Sequence, residues 1–68
     1  MAEKNSILII DDHPLFREGL KSIIRQNSRF DVIAEAGNAK KGIQLAKKLH
    51  PDLLIVDLSL PDKSGVDL

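Results

Sequence analysis

The residues best equipped for chemistry in this chain are acids. Asp11 and Asp12 follow directly on the apolar run Ile7-Leu8-Ile9-Ile10, and Asp57 follows directly on a second run, Leu53-Leu54-Ile55-Val56. If the two runs are neighbouring parallel strands, three carboxylates converge at one sheet edge with no lysine or arginine written beside them. Like charges gathered so closely repel, and the arrangement is tolerated best around a hard divalent cation, so the spacing points to a Mg2+-type oxygen site. Each acid also has a plainer explanation, since aspartate commonly caps helices and solvated strand ends are often acidic. Both strand ends taken together with the segment Asp57-Leu58-Ser59-Leu60-Pro61-Asp62-Lys63-Ser64-Gly65 favour the chemical explanation.

The elements that must position these acids can be read from hydrophobic periodicity. Ser6 to Ile10 is apolar and partly β-branched, which predicts a strand covered on both faces. Pro14 suits the first turn of a helix, where its missing N–H has no partner to lose, and Asp12 can accept from the free amides there. Phe16, Leu20, Ile23 and Ile24, with Asn27 at the margin, predict an inward stripe, while Arg17, Lys21 and Arg25 share a solvated side. Asn27-Ser28 ends that helix, and Phe30 to Ala36 carries enough β-formers for an edge strand. Gly37-Asn38 reads as a turn and cap for a second helix. Its buried face is Ala39, Gly42 or Ile43, Ala46 and Leu49, and its outside is Lys40, Lys41, Gln44, Lys47 and Lys48. His50-Pro51-Asp52 stops it, Leu53 to Val56 is a third strand, and Ser59 to Ser64 is a loop. Gly65 to Leu68 opens a further helix with Ser64 as its cap. Strand, helix, strand, helix, strand is a βαβαβ unit with right-handed crossovers and a parallel sheet, and ligands of such sheets bind outside the carboxyl ends of the strands.

Composition narrows the function classes. Sixty-eight residues make one domain, 1–68, and a chain of that size buries only roughly 60% of the surface its unfolded form exposes. Without cysteine, no disulfide or thiolate metal site compensates. Hydrophobic residues make up 43% of the chain but only Phe16 and Phe30 are aromatic, which fits an aliphatic α/β interior better than a base-stacking surface. Ten basic residues balance ten acidic ones, so this segment has no net positive field to hold nucleic acid. No apolar stretch is long enough to span a bilayer and Met1 to Ser6 lacks a signal-peptide core, which makes a cytoplasmic location the simplest expectation, with no membrane partner. His13 and His50 lie in different elements without a cysteine or histidine at ligand spacing, and each reads as an ordinary surface or loop residue. The glycines make no phosphate-cradling loop, and the lysines of the second predicted helix read as a solvated face. A haloacid-dehalogenase-like site would want acids two apart after the first strand, where position 13 is histidine.

The stretch Ile7 to Leu20, with Asp11-Asp12-His13-Pro14-Leu15-Phe16-Arg17-Glu18-Gly19 at its centre, resembles the opening of a two-component response regulator receiver domain of the NarL/FixJ type, which usually carries a LuxR-like output. Asp57, Pro61 and Gly65 are similar in spacing to that family's phosphoacceptor loop. The resemblance covers the whole chain and implies a flavodoxin-like (CheY-like) doubly wound parallel sheet, of which the βαβαβ first half is present. It implies that Asp57 takes a phosphoryl group from a phosphohistidine on a sensor histidine kinase. Asp12 would ligate Mg2+ directly, Asp11 through water, and the Ser59 carbonyl would add another oxygen. Pro61 and Gly65 would shape the loop, although both also serve as plain loop punctuation. Leu15, Gly19 and Ser22 form a lightly covered face beside the acids, which in the family meets the kinase; the simpler account is a leucine at the margin of the inward stripe. The resemblance implies a signalling module rather than an enzyme, limited to self-phosphorylation and slow acyl-phosphate hydrolysis, with DNA bound through a carboxyl-terminal output.

A complete receiver has five strands in the order 2-1-3-4-5, and the hydroxyl residue of the fourth and the lysine of the fifth lie beyond these 68 residues. The stop at Leu68, inside a helix's first turn, is expected to be a truncation of a longer regulator. Leu53 to Val56, built to be covered on both faces, is then expected to be an open edge, so that these 68 residues do not form a stable monomer: either the remaining chain is supplied separately, or two copies pair or exchange elements through that strand. The competing expectation is a non-catalytic fragment that keeps the packing and only self-associates.

Overall fold

The computed structural model describes residues 4–57 and Leu60. Five elements alternate along the chain: β1 (Asn5–Ile10), α1 (Pro14–Arg25), β2 (Phe30–Ala36), α2 (Ala39–Leu49) and β3 (Leu53–Val56). The strands form one parallel sheet, as the apolar runs predict, in the order β2-β1-β3 that the resemblance implies. β1 sits in the middle, paired on both edges, and its residues Ile7, Leu8, Ile9 and Ile10 are all buried, as an uninterrupted apolar run requires. Successive side chains of a strand point to opposite faces, so β1 feeds two different packing problems.

On one face Leu8 and Ile10 meet α2. The core there is Leu8, Ile10, Ala36, Ala39 and Leu60, with Ala34, Leu45, Ala46 and Val56 packed around it. The helix can come this close because Gly42 has no side chain: a Cβ there would stand 2.4 Å from Ile10 Cδ1. Leu45 joins the core although it was not on the expected stripe, whereas Leu49 is largely exposed. Asn38 caps α2 as the sequence suggests, its side-chain oxygen accepting from the Lys41 amide at 2.8 Å.

The other face departs from expectation. α1 leans on β2, and the side it turns to the sheet carries Arg17 and Lys21, whose side chains are only 17% and 14% exposed. Both reach Glu35 of β2, Lys21 also pairs with Glu18, and Arg17 Nε lies 3.4 Å from Glu35 Oε1. The predicted inward stripe is split: Leu20 and Ile24 are half-buried, but Phe16 is 57% and Ile23 67% exposed. The cause lies in the β1–β2 register, which shifts between Ile7 and Leu8. Ile33 is skipped, and Glu35 is set beside Ile9. An acid under the helix draws its cations inward, while the β3 side of the same face is left without a covering helix among the described residues.

At the amino end of the sheet Ser6 and Asp52 hold each other. The Ser6 amide donates to Asp52 Oδ2 at 2.8 Å and the Ser6 hydroxyl donates to the same oxygen at 3.2 Å. The Asp52 amide returns a bond to Ser6 Oγ at 3.0 Å. β3 pairs with β1 along Ile7↔Leu53 to Ile10↔Val56 and has no second neighbour among the described residues, with Leu53 and Leu54 each largely open. Among the described residues no helix is long and apolar enough to cross a membrane.

Candidate functional site

At the carboxyl ends of β1 and β3 the parallel ladder runs one residue past each strand. The Asp11 amide donates to Ala36 O at 2.9 Å and the Asp57 amide donates to Ile10 O at 2.9 Å. Each aspartate therefore leaves the sheet from a hydrogen-bonded backbone, and the two emerge as neighbours. Asp11 is buried, Asp57 half-buried and Asp12 exposed. One ligand atom from each of Asp11, Asp12, His13 and Asp57 can be chosen so that all lie within 4.8 Å of one another. The three predicted carboxylates are thus brought together.

The link into α1 sets the geometry of the loop. Asp12 does not cap the helix as expected. The cap position is His13, extended at φ −108° and ψ 101°, with no side-chain cap bond. Pro14 accounts for this, because the residue before a proline is pushed out of the helical region. The His13 amide instead donates to Asp11 Oδ1 at 2.6 Å, closing a tight turn that folds the residue back over the acids. His13 Nδ1 then lies 2.9 Å from Asp12 Oδ1, 3.4 Å from Asp11 Oδ1 and 3.7 Å from Asp57 Oδ2. His13 is the exposed loop residue that the sequence suggests, but its ring also lies within the carboxylate cluster, a placement outside the sequence-based expectation. The signal that could have revealed it was Pro14.

Three carboxylates gathered in one small space make a hard oxygen-donor set, and the donor chemistry fits a divalent cation of the Mg2+ class. Beside the cluster a groove of about 830 Å3 runs between α1 and β3, walled by Leu15, Phe16, Leu20, Ile55 and Val56 and closed at one end by Asp11, His13 and Asp57. Leu15, Gly19 and Ser22, the expected partner face, are all exposed on α1, with Leu15 at 88%. A Cβ at Gly19 would meet nothing within 4 Å. Ser59, Pro61 and Gly65, as well as the loop and the further helix expected around them, lie outside the described residues.

Comparison with known proteins gives a consistent result. Residues 7–68 match the response regulator receiver domain. The nitrate/nitrite response regulator protein NarL of Escherichia coli K12 is 43% identical over 65 residues, covering 96% of this chain and 30% of that protein. Among solved structures, a LuxR-family two-component response regulator from Aurantimonas sp. SI85-9A1 superposes with a TM-score of 0.83 at 35% identity, covering 88% of this chain and 43% of the other. RcsB from Salmonella enterica serovar Typhimurium, bound to promoter rprA in the presence of the phosphomimetic BeF3−, gives a TM-score of 0.81 at 30% identity over 87% of this chain and 29% of the other. The fold is that of the first half of a CheY-like, flavodoxin-like sheet. The chain spans about a third of the length of the curated relatives it matches.

Proposed function

Because the chain belongs to the response regulator receiver family, we propose that Asp57 is its phosphoacceptor and that the whole protein relays a signal from a sensor histidine kinase to a DNA-binding output in the cytoplasm. The observation that carries this reading is the meeting of Asp11, Asp12 and Asp57 within one small space at the carboxyl edge of the sheet. In the transfer a carboxylate oxygen of Asp57 forms a bond to phosphorus as the phosphorus–nitrogen bond of a phosphohistidine breaks. The product is an acyl phosphate on Asp57 and a free imidazole on the kinase. Hydrolysis of that acyl phosphate returns Asp57, so the module is a signalling switch with no other substrate to turn over.

Asp11, Asp12 and Asp57 would hold Mg2+ together with the carbonyl of Ser59; when bound, the ion offsets the repulsion between a carboxylate and an incoming phosphoryl group. The chain's own contribution is positional. The amide of Asp57, tied to Ile10 O, fixes where the nucleophile leaves the sheet, and the buried Asp11, tied to the His13 amide, holds the facing wall. Leu15, Gly19 and Ser22 present a low surface next to the acids, suited to a helical kinase partner that must reach Asp57. Pro61 and Gly65 shape the loop that follows the nucleophile. Promoter binding by the RcsB relative supports a DNA-binding output, carried outside these 68 residues.

The test is labelling by a small phosphodonor such as acetyl phosphate. We expect Mg2+-dependent, low-yield incorporation at Asp57, complete loss in Asp57→Asn, and loss on chelation. Label that persists in Asp57→Asn would end the assignment.

A second reading is favoured by β3, which has no second strand partner among the described residues: a non-catalytic chain that self-associates or exchanges elements through Leu53 and Leu54. It predicts a concentration-dependent dimer in sedimentation, indifferent to Mg2+ and to Asp57→Asn.

A further inference from the structure

We propose that His13 is a nitrogen ligand of the carboxylate site and widens its choice of ion from Mg2+ to the first-row transition dications. This rests on the reading of Asp11, Asp12 and Asp57 as a divalent-cation site. The argument is one of distances. With metal–ligand bonds of about 2.1 Å, adjacent ligands of an octahedron stand about 3.0 Å apart and opposite ones about 4.2 Å apart. His13 Nδ1 is 2.9 Å from an oxygen of Asp12, which matches adjacent ligands, and 3.4 Å and 3.7 Å from oxygens of Asp11 and Asp57, which lie between the adjacent and opposite spacings, so a small shift of the exposed ring brings it into the same sphere.

The placement is built into the chain. Pro14 forces His13 into extended backbone, and the bond from the His13 amide to Asp11 Oδ1 closes the turn that carries the ring over the acids. Because the β1–β3 ladder sets Asp57 beside Asp11, the same turn also brings the ring within 3.7 Å of a carboxylate 44 positions along the chain. Mg2+ takes oxygen almost exclusively, whereas imidazole suits Ni2+ and Zn2+, and affinity for a site of mixed nitrogen and oxygen ligands rises from Mn2+ to Ni2+. His13 is therefore a specificity-determining residue: it adds little to Mg2+ and a full bond to a borderline metal.

The test uses the 68-residue chain, with Mg2+ and Ni2+ titrated calorimetrically into the wild type, His13→Ala and His50→Ala, and with Mn2+ as a pulsed-EPR probe. Support consists of Ni2+ affinity falling roughly 10-fold or more in His13→Ala while Mg2+ affinity is unchanged or slightly tighter. It also requires nitrogen coupling to Mn2+ in the wild type that survives His50→Ala and disappears with His13→Ala. The wild-type EPR arm needs no variant to fold. Equal shifts for both ions, or Mn2+ without nitrogen coupling, would overturn the inference and leave the Mg2+ reading standing. Binding of neither ion by the wild type would remove both.

Discussion

The two faces of the sheet solve the same problem by different means. Beneath α2, Leu8 and Ile10 are sealed by Ala36, Ala39, Leu60 and a helix that approaches closely at Gly42. Beneath α1, Ile7 and Ile9 are buried too, but the helix is held at its β2 margin by Arg17 and Lys21 on Glu35, Leu15 and Phe16 stand open along the groove beside β3, and Ile23 is exposed. The first face is fastened by exclusion of water, which is non-directional and strong in aggregate. The second is fastened by ion pairs at one side, which position a helix without sealing it. The functional cluster sits where the two meet, with its backbone on the sealed part of the sheet and its groove on the open one.

The contrast makes graded predictions. The largest effect is expected from Leu8→Ala, which should cost about 2–5 kcal/mol, a large share of the roughly 3–10 kcal/mol a domain of this size commands. Urea denaturation checks it, and a loss below 1 kcal/mol would deny the α2 face its role. Gly42→Ala comes next. Although alanine is the better helix former, the clash with Ile10 should leave a net loss of about 1–3 kcal/mol. If thermal melts instead rise, the close approach is not real.

Lys21→Met probes the other fastening and should destabilise less than Gly42→Ala. Its hydrogen bonds to Glu18 and Glu35 hold the Lys21 ammonium above the ordinary lysine range, and its bond to Glu18 holds that carboxyl below the ordinary range. The lysine's contribution is complete below its unfolded value and vanishes as pH rises through the raised folded one. The glutamate's is complete above its unfolded value and vanishes as pH falls through the depressed folded one. The gap between wild type and variant should therefore be flat around neutrality and close only in strong acid or strong alkali. Melts as a function of pH decide this. The smallest change is expected from Ile23→Gln, within about 0.5 kcal/mol because the side chain is already wet. If that variant unfolds the chain, the open stripe is wrong.

Much of this was legible in the sequence. Two strands follow from uninterrupted apolar runs, the third from its β-formers and the helices from helical spacing, and the meeting of Asp11 with Asp57 follows from two runs of equal character ending in acid. Two things were not legible. The orientation of α1 could not be read from its stripe, because periodicity says which residues share a side but not which side an acid on another strand will claim. Glu35 reaches that position only through a register shift that no residue type in Phe30 to Ala36 announces. The role of His13 was hidden for a different reason: spacing rules look for a second histidine or cysteine, whereas here the partners are carboxylates fixed by a turn and a proline.

The mutual grip of Ser6 and Asp52 has a metric consequence. From that buckle Asp11 is five residues up one strand and Asp57 five residues up the other, so both arms are measured from one origin and finish level. Deleting or inserting one residue in either arm would offset the two tips by about 3.3 Å and reverse the direction in which one of them points. Chemistry at the top of the sheet is thereby calibrated by a fastening at its bottom, which touches none of the reacting groups.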